Sequence, residues 1–170
     1  MNASARKPTL IIGIGNPLRS DDGLGWAVAQ RLADDGGENC AIHTVHQLTP
    51  ELAQWIAETK LVIMVDASRE GEPGTVCVRP VSPSTQPGAA GTHDTKPEEL
   101  TALTEAIYGH CPPVVIVSMT GANFSIGEQL SPIITRRIPL VYEIVRQVCA
   151  TGLSDEKRSE ILYLHAKTGT

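Results

Sequence analysis

The sequence predicts an α/β fold, a three-layer α/β/α sandwich around a twisted, mostly parallel five-stranded sheet. Three observations carry that expectation. Short continuous apolar runs, such as Leu10-Ile11-Ile12 and Leu61-Val62-Ile63-Met64-Val65, read as strands buried on both faces. Segments of helical period lie between them. Glycine- and proline-rich turns separate the two kinds of segment, in the alternation that builds parallel sheets.

The first strand spans Thr9–Ile14 and empties into Gly15-Asn16-Pro17-Leu18-Arg19-Ser20-Asp21-Asp22. A helix follows from about Gly23 to Leu32, with Leu24, Val28 and Leu32 on one face, and Asp34-Asp35-Gly36-Gly37 ends it. The second strand covers about Cys40–Val45. Thr49 and Pro50 then suit a helix start, and that helix should run to about Thr59 with Leu52, Trp55 and Ile56 inward. Leu61–Val65 is the third strand and ends on Asp66. Thr75–Val81 alternates and is followed by prolines, which places it near an edge.

Residues from Pro80 to Pro97 form a long Pro/Gly/Ser/Thr-rich loop that carries His93 and Asp94, and a loop of this length in a compact domain points to function. A helix over Pro97–Tyr108 presents Leu100, Leu103 and Ile107 on one face. The fifth strand covers Pro113–Val117 and Met119, after which Thr120-Gly121-Ala122-Asn123 turns away. A last helix runs from Ser131 to about Ala150, and Pro139 should kink or split it. Residues 1–150 thus form one domain, and 151–170 an unplaced polar tail.

The chain has 170 residues, enough for one proper core, and is 41% hydrophobic with 4% aromatics, so Val, Ile, Leu and Ala must build that core. A formal charge of −5 without a basic stripe argues against nucleic acid as partner. No apolar run approaches the ~20 residues that cross a bilayer, and no signal peptide is evident at the N-terminus, so a cytoplasmic protein without a membrane partner is expected. Cys40, Cys77, Cys111 and Cys149 lack any Cys-x-x-Cys pairing and read as reduced, mostly buried side chains.

Right-handed crossovers place the second strand on one side of the first and the third on the other. The loops after the first and third strands then open toward each other at a switch point, the usual ligand site of such sheets. Asp22 and Asp66 come to share that crevice. Gly13-x-Gly15 lacks the third glycine of a dinucleotide fingerprint, because Leu18 stands in its place, and two adjacent acids would repel a phosphate. Asp21 and Asp22 also suit a plain helix start, but one cap needs one acid. Asp22, Asp66 and the His93 imidazole make an oxygen/nitrogen set suited to Zn, Ni, Mn or Fe. His46, at the end of the second strand, is a rival. Arg136-Arg137 reads as a solvated face.

At Gly13-Ile-Gly15-Asn16-Pro-Leu-x-x-Asp21-Asp22-Gly23-x-Gly25 the chain closely resembles the hydrogenase maturation endopeptidases, which process nickel–iron hydrogenase large subunits. The resemblance continues at His46-Gln-Leu-Thr-Pro-Glu51, Val65-Asp66-Ala67, Thr92-His93 and Gly127-Glu128-x-Leu130-Ser131-Pro132. It implies removal of a C-terminal extension from the large-subunit precursor after nickel insertion. It also implies that Asp22, Asp66 and His93 are both the metal-binding and the catalytic residues. No permanent cofactor is expected; the nickel belongs to the substrate, the precursor is the protein partner, and the oligomeric state is left open with a monomer favoured. Two alternatives stand beside this: a hydrolase of small peptides with its own metal, and a nickel-checkpoint chaperone that binds the precursor without cutting it.

Overall fold

Five strands form one sheet in the computed structural model, which describes residues 9–36, 40–84 and 95–152. In chain order they are β1 (Thr9–Ile14), β2 (Cys40–Val45), β3 (Val62–Ser68), β4 (Val76–Val81) and β5 (Val114–Thr120). Their order across the sheet is β2-β1-β3-β5-β4, with β4 antiparallel to β5 and the other pairs parallel. The first three strands fall in the order that right-handed crossovers predict.

Four helices cover the sheet: α1 (Leu24–Asp34), α2 (Leu52–Ala57), α3 (Pro97–Tyr108) and α4 (Pro132–Thr151). Alternation along the strands divides the core into two layers. Ile11, Ile63, Val65, Val115 and Val117 pack with Leu24 and Val28 of α1 and with Ile134, Val141 and Val145 of α4. Leu10, Ile12, Val62, Met64, Val114 and Ile116 pack on the opposite face with Leu52 and Ile56 of α2 and Leu100 of α3. These layers are the expected sandwich, and Asp66 continues the phase of Val62 and Met64, so it stands on the α2/α3 face.

Several local expectations give way to tertiary packing. Helix α4 is continuous through Pro139: the proline is on the exposed side, while Ile134 before it and Val141 after it are both fully buried against the sheet. Burial on both sides holds the helix together at the cost of one backbone hydrogen bond. Trp55 does not face the core; α2 is only six residues long, and the indole lies at its flank, 39% exposed, stacked on His43 of β2 at 4.4 Å. Ile107 is exposed on the last turn of α3 rather than inward. Pro80 lies within β4 rather than in a loop, since an edge strand tolerates proline. Arg137 is half-buried and donates to the Gly74 carbonyl at 3.1 Å, so it is not a solvated residue. Cys77 is exposed and the other three cysteines are half-buried, so the thiols are less enclosed than expected. The tail beyond 152 lies outside the described residues, and among these no helix is long and apolar enough to cross a membrane.

The glycines of the first motif set how closely α1 approaches the sheet. A Cβ on Gly25 would collide with the carbonyls of Ile14 and Val65, and one on Gly13 with the backbone of Gly25. Backbone cannot yield as a flexible side chain can. Gly25→Ala is therefore expected to cost at least about 3 kcal/mol, the upper range for overpacking. A fall in the denaturant midpoint with an unchanged slope checks this.

Candidate functional site

Strand β1 leaves the sheet through Gly15, whose φ of +127° suits glycine alone, and a Cβ there would collide with the Asp22 carbonyl. Asn16 follows and turns the chain by accepting the Leu18 N–H on its Oδ1 at 2.9 Å. A 3-10 turn over Ser20–Gly23 then leads into α1. Neither aspartate caps it by a side-chain hydrogen bond, although both lie in the first turn of the 3-10 helix.

Asp22 turns back toward the sheet edge. Its Oδ2 accepts the Asn16 N–H at 2.9 Å. Asp66 reaches the same edge from β3, half-buried, with its Oδ1 accepting the Ala67 N–H at 2.8 Å. Burial pushes the Asp66 carboxyl up to about 6, the Ala67 N–H opposes that rise, and the negative charge of Asp22 adds to it. The two carboxylates predicted to meet are therefore close enough to repel each other. A divalent cation would relieve that repulsion, and a pair of carboxylates with open positions suits one. Among the described residues no group of three His, Cys, Asp or Glu side chains is placed to hold a metal ion. His93, the third expected member, lies outside the described residues.

Asp21 has a different task. Its side chain is fully buried, and it accepts four hydrogen bonds from the connection between β5 and α4. Oδ1 takes the Ser131 N–H at 2.6 Å; Oδ2 takes the Ala122 N–H at 2.7 Å, the Asn123 N–H at 2.8 Å and the Ser131 hydroxyl at 2.7 Å. Burial alone would raise its pKa, but the donors from Ser131, Asn123 and Ala122 together hold it below the usual carboxylate range. The segment after β5 therefore folds back onto the first loop instead of turning away. Asp21 fixes the backbone from which Asp22 projects.

His46 does not join the pair. It is exposed at the end of β2, its ring 5.1 Å from that of Trp26, whose Nε1 donates to the Val45 carbonyl at 3.2 Å. Its ring packs on α1, and among the described residues it makes no three-membered metal group with the carboxylates.

This arrangement of sheet and loops has close structural counterparts. The NiFe hydrogenase maturation protease HycI from Thermococcus kodakarensis KOD1 superposes with a TM-score of 0.68 at 24% identity, covering 87% of this chain and 96% of that one. The chain has the fold of the hydrogenase maturation proteases. The hydrogenase maturating endopeptidase HybD from Escherichia coli gives a TM-score of 0.65 at 19% identity, over 85% and 94% of the two chains. The hydrogenase 2 maturation peptidase from Thaumarchaeota archaeon SCGC_AB-539-E09 gives 0.64 at 20%, over 87% and 100%. No protein-family model matches the chain, and no curated protein matches it.

Within this maturation-protease fold, the sequence reading missed the three residues that bond Asp21 and the polar row beside Asp66. The partners lie more than a hundred residues away in the chain. In the row, Ser118 of β5 stands opposite Asp66, and Cys77 of β4 stands opposite Ser118. That row depends on the register of the antiparallel edge strand, and register leaves no mark in a local pattern.

Proposed function

We propose that the chain is an endopeptidase that removes the C-terminal extension of a nickel–iron hydrogenase large-subunit precursor after nickel has been inserted. The observation that carries this reading is the meeting of Asp22, from the turn after β1, and Asp66, on β3, at one sheet edge, where the charge of Asp22 helps to raise the Asp66 carboxyl. The fold shared with the maturation proteases supports it. In this reading the precursor's nickel is the element recognised. The two carboxylates, with the His93 imidazole, meet the metal at positions left open by its own ligands. Docking fixes the scissile peptide beside the pair, and a carboxylate oriented as Asp66 is takes the proton from the attacking water. Asn16 and Gly15 hold Asp22 in place, and Ala67 holds Asp66.

The test is to incubate the purified protein with nickel-loaded precursor and follow loss of the extension by intact mass. Asp22→Asn and His93→Gln are each expected to lower the cleavage rate by about 10²–10⁴-fold, the usual cost of removing a group that acts on a proton or a metal at the reacting centre. Wild-type rates in both variants would end the assignment. Association without a mass change would favour the chaperone, and a stoichiometric ion retained through dialysis the hydrolase with its own metal.

A further inference from the structure

Among the described residues, the sheet face that carries Asp66 is only partly covered. Helices α2 and α3 pack over Val62, Met64, Val114 and Ile116. Beyond that apolar patch the same face turns polar, first with the row Asp66–Ser118–Cys77, then with Ser68 beside Thr120. An open groove of about 540 Å³ lies over these residues, within the range of about 300–1,000 Å³ that ligand sites occupy. A floor of hydroxyls is a poor seat for the apolar face of a helix. It suits an extended chain at Ser118, whose hydroxyl can both donate and accept, while the hydroxyls of Ser68 and Thr120 already donate to the Glu70 carbonyl.

The charges are set apart along the groove. Glu70 lines it beyond Ser68, and Arg79 lines the opposite end, paired in register with Ile116. Arg79 lies two strands across from Asp66 and one pair of residues along. By the usual strand spacing of about 4.8 Å and rise of about 3.3 Å, that is about 12 Å, which an extended peptide covers in about three or four residues. The guanidinium gives one hydrogen bond to Glu98, from Nη1 at 2.8 Å, with 42% of the Arg79 side chain exposed. Such a surface pair is weak, and a guanidinium has five donors in all.

We propose that this groove binds an extended segment of the peptide substrate beside the scissile bond, and that Arg79 selects a carboxylate about three or four residues from that bond. The place of the scissile bond rests on the function proposed above; peptide binding in the groove does not. Arg79 is then a specificity-determining residue, and Glu98 its positioning partner.

Cys77 gives the test a handle, because its exposed thiol lines the groove two residues from Arg79. The probes are two blocked tripeptides, Cys-Thr-Glu and Cys-Thr-Gln, each supplied as a mixed disulfide with 2-mercaptoethanol. The Cys77 thiolate attacks the peptide sulfur, a protein–peptide disulfide forms, and 2-mercaptoethanol leaves. Excess 2-mercaptoethanol keeps the exchange at equilibrium. Capture is read by intact mass on the full chain and counted as the part lost in Cys77→Ser.

The Glu peptide is expected to be captured up to about five-fold more than its Gln counterpart, the size of one good surface charge pair. Arg79→Gln should abolish that preference, whereas Glu98→Gln, which breaks the same ion pair but leaves the guanidinium, should keep it. Equal capture of both peptides overturns the proposal. So does a preference that survives Arg79→Gln, or one lost equally in Glu98→Gln. Precursor cleavage is measured separately: intact cleavage without a Glu preference removes the groove alone, and a Glu preference without cleavage removes the proposed activity alone.

Discussion

Replacing Asp21 by Ala is expected to lower the stability of the fold by about 3–5 kcal/mol, because four donors lose a buried anionic acceptor at once. Set against a total of about 5–15 kcal/mol for a typical domain, that is a large fraction. For a chain of this size it corresponds to a fall in melting temperature of about 6–20 °C. Asp21→Asn should do nearly as much harm, since an amide offers one acceptor oxygen and turns its own N–H groups toward backbone donors. The pH dependence has a definite sign. The folded-state pKa of Asp21 is depressed, so its contribution is complete above the unfolded value of about 3.9 and is lost as pH falls through the folded one. The wild-type protein should therefore lose stability in acid, below about pH 4, more steeply than either variant. Faster hydrogen exchange at the Ala122 and Asn123 amides would locate the damage. A melting temperature within 2 °C of wild type, on the order of the smallest shift a 1 kcal/mol change gives, would show that these bonds do not hold the connection.

The layout of the fold was legible because its signals are local. Thr9–Ile14, Cys40–Val45 and Pro97–Tyr108 are bounded where their apolar runs and turn residues place them. Asp66 was legible for the same reason: an acid that follows five apolar residues stands at the ligand edge of a parallel sheet. Asp22 was legible through the glycines around it, whose purpose the structure makes plain, since Gly13 and Gly25 let two backbones touch. The failures share an origin too. Pro139 breaks a helix by the local rule, yet α4 continues because the sheet buries residues on both sides of it. Trp55 has the right period for the core but lies beside an edge strand, where His43 takes it up. The partners of Asp21 and the row Asp66–Ser118–Cys77 arise from pairings far apart in sequence, and no window of ten or fifteen residues contains them.

Asp66→Asn is expected to stabilise the protein and to abolish its activity. Burial and the charge of Asp22 raise the folded-state pKa of Asp66 to about 6, above the unfolded value of about 3.9. The folded state thus prefers the protonated acid, and that preference contributes stability which is complete below pH 3.9 and lost as pH rises through about 6. At pH 8 the ionised carboxylate costs the fold up to about 3 kcal/mol, taking 1.36 kcal/mol per unit. Asparagine is neutral throughout and keeps an oxygen for the Ala67 N–H, so it should recover about 1–3 kcal/mol and raise the melting temperature by about 2–12 °C. At pH 4 the gain should vanish, which separates relief of charge from a change in packing. Cleavage of the nickel-loaded precursor should fall by about 10²–10⁴-fold. The opposite signs are the point of the experiment. A carboxylate that the fold would be better without, placed beside a second one, is what a cation or a proton-transfer step requires, and in the proposed reaction the substrate's metal would relieve that repulsion. Unchanged melting at pH 8 together with wild-type cleavage would mean that Asp66 is merely one more residue of β3.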